Sequence, residues 1–255
     1  MKRVVTAILV MGGILSLSTA AAAAEIRVIS AGAVRSVVAG MIEDYKKRTG
    51  DTFEFTVGPT GVLRDIIASG KPADLLITSG PLMTEMEKTG KLTPGSRVDI
   101  GRVGIGVVIR EGATAPDFST PEAFRKMLID ARSVSHTAPE LGGTSSVHLL
   151  ALLKKIGIHD AVAKKAIHRK GGIDVARAVA SGEAEIGITL ISEIVPVKGA
   201  KFAGPLPEAY QLWTVYTSAI PASSTQPKAA RAFVDALTSP GLAERWHAGG
   251  FEPPK

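Results

Sequence analysis

Apolar residues recur at helical spacing early in the chain. Val34, Val37, Val38, Met41, Ile42 and Tyr45 fall on one stripe of an amphipathic helix. Short apolar runs on either side, Ile26 to Ser30 and Phe53 to Val57, read as strands. Ala31-Gly32-Ala33 turns the first strand into the helix, and Gly50 ends it. Gly58-Pro59-Thr60-Gly61 opens a second helix around Val62 to Ser69, and Pro72-Ala73-Asp74 leads into a buried strand, Leu75 to Ile77. Strand, helix, strand, helix, strand predicts a parallel sheet with helices on both faces.

The alternation continues. Val103 to Ile109 is an apolar strand punctuated by Gly104 and Gly106. A helix over Pro121 to Asp130 is capped by Ser119 or Thr120. Arg132 to Thr137 reads as a strand, Thr144 to Ile156 and Asp174 to Ser181 as helices, and Glu185 to Leu190 as a strand. The chain closes with a strand (Leu212 to Ile220), a helix (Pro227 to Leu237) and a short helix near Leu242 to His247. No repeat, low-complexity tract or long linker interrupts the pattern. The expectation is an α/β protein in two lobes.

The first residues change the picture. Lys2 and Arg3, an uncharged run from Val4 to Leu17, and small residues from Ser18 to Ala24 make the three parts of a secretory signal, residues 1–24, removed before Glu25. The apolar run is shorter than the roughly 20 residues a membrane span needs. Export implies the periplasm. Cysteine is absent, so stability must come from a packed core, and a lipid anchor, which needs a cysteine, is not expected. Net charge is +6, with the basic residues scattered and aromatics only 5%, which argues against a nucleic-acid partner. A monomer is expected.

Candidate chemistry lies at the strand-to-helix turns. Unpaired N–H groups and the positive end of the dipole make helix N-termini good anion sites. In a doubly wound sheet such turns gather at the carboxyl ends of the strands. The first turn offers Ser30, Ala31, Gly32, Ala33 and the guanidinium of Arg35; the second offers Thr60 and Gly61; Ser79 follows the third strand. Farther along come Gly142, Gly143, Thr144, Ser145 and Ser146, then Gly171 and Gly172. Each Ser or Thr could equally be an ordinary helix cap, and each Gly an ordinary turn residue. His136, ending a strand, is the histidine best placed for acid–base work, with structural hydrogen bonding as its alternative. No histidine pair has metal-ligand spacing, and neither a metal nor a cofactor is expected.

These pieces, in order, resemble the periplasmic molybdate-binding proteins and their relatives. The resemblance rests on Ser30-Ala31-Gly32-Ala33, Gly58 to Leu63, Pro72 to Thr78, Ala180 to Ile188, Leu237-Thr238-Ser239-Pro240-Gly241 and the ending Gly250-Phe251-Glu252-Pro253-Pro254. It implies a type II periplasmic-binding-protein fold: lobe one from 25–103 plus 206–255, lobe two from 107–200, joined by two crossing strands near 104–107 and 205–210. It also implies a small anionic ligand in the cleft, and a permease of an ABC-type uptake system in the inner membrane as partner.

Two positions depart from the family pattern. Ala33 stands where a serine is usual, and Leu190 where a ligand-contacting tyrosine is common. A tetrahedral oxyanion would lose two hydroxyl donors, while Arg35 suits a carboxylate. The expected ligand therefore moves from molybdate towards an organic acid. Two functions fit: an uptake protein closing on its anion, or an isomerase on the same scaffold. The periplasmic aconitate isomerases resemble molybdate-binding proteins in sequence. Such an enzyme would shift a proton along an allylic tricarboxylate, with His136 as base and Ser30 or Thr60 orienting.

Overall fold

The computed structural model describes residues 23–254. The segment read as a secretory signal lies outside the described residues, except for Ala23 and Ala24. The first strand, β1 (Glu25–Ala31), runs directly into α1 (Gly32–Thr49). Val34, Val38, Met41, Ile42 and Tyr45 of the apolar stripe are buried under the sheet. Gly50 stops the helix at φ 80°, a left-handed conformation that suits glycine, with its N–H donating to the Lys46 carbonyl.

The chain continues through β2 (Thr52–Gly58), α2 (Thr60–Ala68), β3 (Leu75–Ser79), α3 (Gly80–Lys88) and the long β4 (Val98–Arg110). Next come α4 (Pro121–Asp130), β5 (Val134–Thr137), α5 (Thr144–Lys155), α6 (His159–Ala163), β6 (Ala166–Arg169) and α7 (Gly172–Ala180). The remainder is β7 (Ile186–Leu190), α8 (Ile191–Ile194), β8 (Ala200–Pro205), β9 (Trp213–Ala219), α9 (Pro227–Leu237) and α10 (Ala243–Ala248).

The strands follow the order β2-β1-β3-β9-β4-β7-β5-β6, with β8 also on β4. The parallel expectation holds at both ends, where β1 pairs with β2 and β3, and β5 with β6 and β7. It fails in the middle. There β9 runs antiparallel to β3 and β4, and β4 antiparallel to β7 and β8. The reason is that β4 belongs to both halves of the molecule. Its first residues, Val98 to Gly104, pair with β9, and Ile105 to Arg110 pair with β7 and β8.

The chain returns between the halves after β8, through Leu206 to Leu212. Here the Gln211 side chain does what a strand neighbour would do. It accepts from the Ile105 N–H at 2.9 Å and donates to the Ile105 carbonyl at 2.9 Å. Gly104 has no side chain because Gln211 and Trp213 fill that space, 3.2 and 3.3 Å from where a Cβ would stand.

A second tie anchors the segment before α9. The Asp74 side chain is fully buried and accepts from Arg27 Nε at 2.8 Å and from the backbone N–H groups of Thr225 and Gln226. These bonds hold its carboxyl far below the usual carboxylate range, although burial alone would raise it. Among the described residues no helix is long and apolar enough to cross a membrane.

Candidate functional site

Between the halves lies a cleft of about 280 Å³, lined by the ends of β1, β2, β5 and β7, by the starts of α1, α2, α5 and α7, and by Glu193 of α8. The volume is at the small end of ligand pockets, which run from about 300 to 1,000 Å³. It suits a small metabolite or ion.

Four helix starts meet there. The caps of α1, α2, α5 and α7 are Ala31, Pro59, Gly143 and Gly171. None has a side chain that can accept a hydrogen bond, and none makes a side-chain cap. Among the described α-helices only α4 has a capping side chain, Thr120 Oγ1 accepting from the Ala123 N–H at 3.1 Å. What sets the four cleft helices apart is position: their uncapped first turns and positive dipole ends point at one space.

The residues expected at the site divide into two groups. Ala31, Gly32, Ala33, Thr60, Gly143, Thr144, Ser145 and Gly172 line the cleft. Ser30, Arg35, Gly61, Ser79, Ser146 and His136 do not. Ser30 is buried with its hydroxyl donating to the Ala31 carbonyl, and Ser146 donates to the Gly143 carbonyl. Ser79 is the buried last residue of β3, and Gly61 sits at the mouth in backbone contact with Leu141 and Gly142. The guanidinium of Arg35 lies over the Phe55 ring at 4.5 Å from its centroid, a cation–π contact. The guanidinium expected to hold a carboxylate is therefore engaged elsewhere.

His136 is 1% exposed, its Nδ1 2.9 Å from the Thr137 carbonyl and its ring 4.8 Å from that of His168. Burial pushes its pKa down. It packs between strands rather than facing the cleft.

The titratable group at the bottom of the cleft is one the sequence reading passed over, Glu193. It is 8% exposed. The Thr189 hydroxyl donates to its Oε2 at 2.9 Å, and the N–H groups of Gly172 and Leu190 donate to the carboxylate. A Cβ on Gly172 would lie 1.9 Å from Oε2, so only glycine lets α7 approach the carboxylate this closely. Oε1 faces the other half of the molecule, 3.1 Å from where a Cβ on Gly32 would stand. Burial is the main cause that lifts the carboxyl to about 7, against the hydrogen bonds, which lower it.

Tyr216 of β9, 2% exposed, brings a phenol to the same wall. Burial and the neighbouring Glu193 charge push its pKa upward, and the Thr144 hydroxyl is its hydrogen-bond partner. The phenol missing at Leu190 is thus present, supplied by a different strand. Lys170 and Asp174 stand at the rim, the latter paired with Arg177 at 3.1 Å. A signal for Glu193 did exist. It is a single carboxylate inside the otherwise uncharged run Ile186 to Val197, four residues after a threonine. No group of three or more His, Cys, Asp or Glu among the described residues could hold a metal ion.

Comparison with known proteins matches residues 26–252 to the family model described as bacterial extracellular solute-binding protein. An aconitate isomerase from Pseudomonas sp is 29% identical, over 96% of this chain and 95% of its own. A molybdate-binding protein ModA from Azotobacter vinelandii is 29% identical, over 74% of this chain and 72% of its own. The solved periplasmic molybdate-binding protein of Azotobacter vinelandii superposes with a TM-score of 0.74 at 18% identity, covering 90% of this chain and 100% of that one. The last of these speaks to the fold, which is that of two-lobed periplasmic binding proteins.

Proposed function

The chain belongs to the bacterial extracellular solute-binding protein family, and from that premise we propose an exported protein whose cleft binds a small di- or tricarboxylate and shifts a proton on it, as an isomerase of the aconitate type. The observation that carries this reading is Glu193, a buried carboxyl poised at about 7 in a cleft otherwise built to attract anions. Acid–base catalysis works best when the catalytic pKa is near the operating pH.

The uncapped starts of α1, α2, α5 and α7 would receive the substrate carboxylates, with Thr60, Thr144 and Ser145 as hydroxyl donors. Oε1 of Glu193, the oxygen that Thr189 leaves free, takes a proton from a methylene beside a carboxylate. The electron pair moves into the adjacent C=C system, and the same carboxyl returns the proton to the far carbon of the allylic unit. One C–H bond breaks and one forms, so composition and oxidation level are unchanged. Tyr216 stands beside Glu193 to donate to the charge that develops. The near full-length similarity to an aconitate isomerase favours this chemistry.

The moving bodies in this reading are 25–103 plus 206–255 and 107–200, bending near 104–107 and 205–210. The change of β4 partners at Gly104 and Ile105 supports those limits. Export to the periplasm rests on the pattern of residues 1–24. A second reading is favoured by the molybdate-binding relatives: capture of the anion by closure alone, for delivery to an inner-membrane permease of the ABC type. Glu193 would then share a proton with the ligand and go no further.

The test is to incubate the protein with trans-aconitate in D2O and follow it by proton NMR. The expected result is cis-aconitate carrying deuterium at the allylic carbons, with a rate that rises as pH passes about 7. Glu193→Gln should lose roughly 100-fold or more. Absence of both interconversion and deuterium exchange would leave capture as the function.

A further inference from the structure

The cleft holds two features that oppose each other. Four helix starts draw anions in, yet the wall they surround carries a carboxylate that, among the described residues, pairs with no cation. Thr189, Gly172 and Leu190 donate to Glu193 as neutral groups. Among the described residues, Lys170 is the one lysine or arginine lining the cleft, and it sits exposed at the rim. The other titratable groups around Glu193 make matters no easier for a second negative charge. They are Tyr216 from β9, a neutral phenol, and Asp174 in the first turn of α7. From α1 the neighbouring contacts are Gly32 and the Ser36 hydroxyl, which donates to the Ser192 carbonyl.

We infer that Glu193 is a specificity-determining residue, barring fully deprotonated tetrahedral oxyanions such as sulfate and molybdate and admitting carboxylic anions that share a proton with it. The reason lies in what each ligand can offer. At neutral pH sulfate and molybdate are dianions with no proton to give, and a dianion against an ionised carboxylate in a water-poor cleft is strongly repelled. Protonating Glu193 to admit one would require a proton from solvent. A polycarboxylate has protonation equilibria close enough to that of Glu193 for one proton to lie between them. The inference deepens the proposed function. It rests on this cleft being the anion site, but not on the isomerisation.

Glu193→Gln keeps the shape and removes the charge, so it separates exclusion from chemistry. Sulfate and molybdate binding would be titrated by calorimetry at pH 8 into the wild type and the variant. The wild type should bind these oxyanions about tenfold more weakly than the variant, because with its carboxyl at about 7 only about one molecule in ten holds the admitting proton at pH 8. A second measurement needs no variant: sulfate remains a dianion at pH 5, where Glu193 is protonated, so wild-type sulfate affinity should be about tenfold higher there than at pH 8. Equal binding by wild type and variant at pH 8, or no oxyanion binding by the variant and by the wild type at pH 5, would overturn the inference. Both arms read binding, so a failure to isomerise aconitate leaves their outcome untouched.

Discussion

The backbone N–H of Gly61, in the first turn of α2, donates to the carbonyl of Gly142 at 3.2 Å, joining the two halves of the molecule across the mouth of the cleft. Neither position has room for a side chain. A Cβ on Gly61 would lie 2.7 Å from the Leu141 carbonyl oxygen, and one on Gly142 would lie 3.0 Å from the Gly61 Cα. Gly142 is also left-handed, at φ 60°. The contact stands beside the cleft, where any movement of one half against the other would load or release it.

Gly61→Ala should therefore hinder closure without unfolding either half. The expected outcome is ligand affinity weakened about tenfold or more, which a shift of only about 1.4 kcal/mol in closure would produce. The melting temperature without ligand should stay within a few degrees of the wild type, as expected for a substitution outside the core. Calorimetric titration with the tricarboxylate checks this, and unchanged affinity would remove the contact from any role in closure.

Glu193 makes stability depend on pH. Its carboxyl is raised from 4.5 unfolded to about 7 in the fold. Below 4.5 both states hold the proton; as pH rises, the unfolded chain ionises first, so stability falls until the folded carboxyl has ionised too, above about 7. Glu193→Gln should then be more stable than the wild type at pH 8 by up to about 3 kcal/mol, and close to it at pH 4.5. For a chain of this length that corresponds to roughly 6–12 °C in melting temperature at pH 8. Equal melting curves at pH 8 would mean that the carboxylate is solvated rather than buried. A variant that gains stability while losing turnover is the expected mark of a site held against its own folding preference.

Much of this was legible in the chain. The stripe from Val34 to Tyr45 and the runs around it specify β1, α1 and β2 because periodicity and glycine punctuation agree there. Helix α4 and helix α9 fall on their expected residues because each opens with proline at its first position. What escaped was short or at an edge. Strands β6 and β8 are only half-buried and carry no clean alternation, while α6 and α8 have five and four residues. Helix α3 was passed over although Leu82, Met83 and Met86 share its buried face. In the cleft, the sequence marks the turns but not which caps are missing. A hydroxyl before a helix invites reading as a ligand donor, yet the caps of the four helices at the cleft, Ala31, Pro59, Gly143 and Gly171, carry none. The charge of Arg35 is visible in the sequence, whereas its stacking on Phe55 is visible only in the fold.

Asp74 and Arg27 form the best-connected polar anchor away from the cleft. The carboxylate is 0% exposed and also bonds to Ser224, Thr225 and Gln226, so it fixes the chain where it enters α9. Its carboxyl is held well below the usual range, so the stability it supplies is present above about 3.8 and is lost as pH falls further. Asp74→Ala leaves the donors of Thr225 and Gln226 unpaired and should cost about 3 kcal/mol or more. Denaturant melts at pH 7 should show this as a lower midpoint. At pH 2 the gap to the wild type should narrow, because the unfolded chain has taken up a proton that the folded carboxylate still refuses.

Gln211 closes the second crossing with a single side chain. Its amide oxygen accepts from the Ile105 N–H and from its neighbour Leu212, and its amide nitrogen donates to the Ile105 carbonyl. The residue thus extends the β4 ladder at the point where β4 changes from β9 to β7 and β8. Gln211→Ala deprives the Ile105 N–H of its acceptor in a buried strand and should destabilise by about 1–3 kcal/mol. Gln211→Glu separates the two bonds: a carboxylate can accept from Ile105 but cannot donate to its carbonyl. The Glu variant should fall between wild type and Ala at pH 7 and recover towards wild type near pH 4, where the protonated acid can donate again. Melting curves of the three proteins at both pH values measure this. If Glu and Ala are equally destabilised at both, packing against Gly104 rather than the paired hydrogen bonds is what Gln211 contributes.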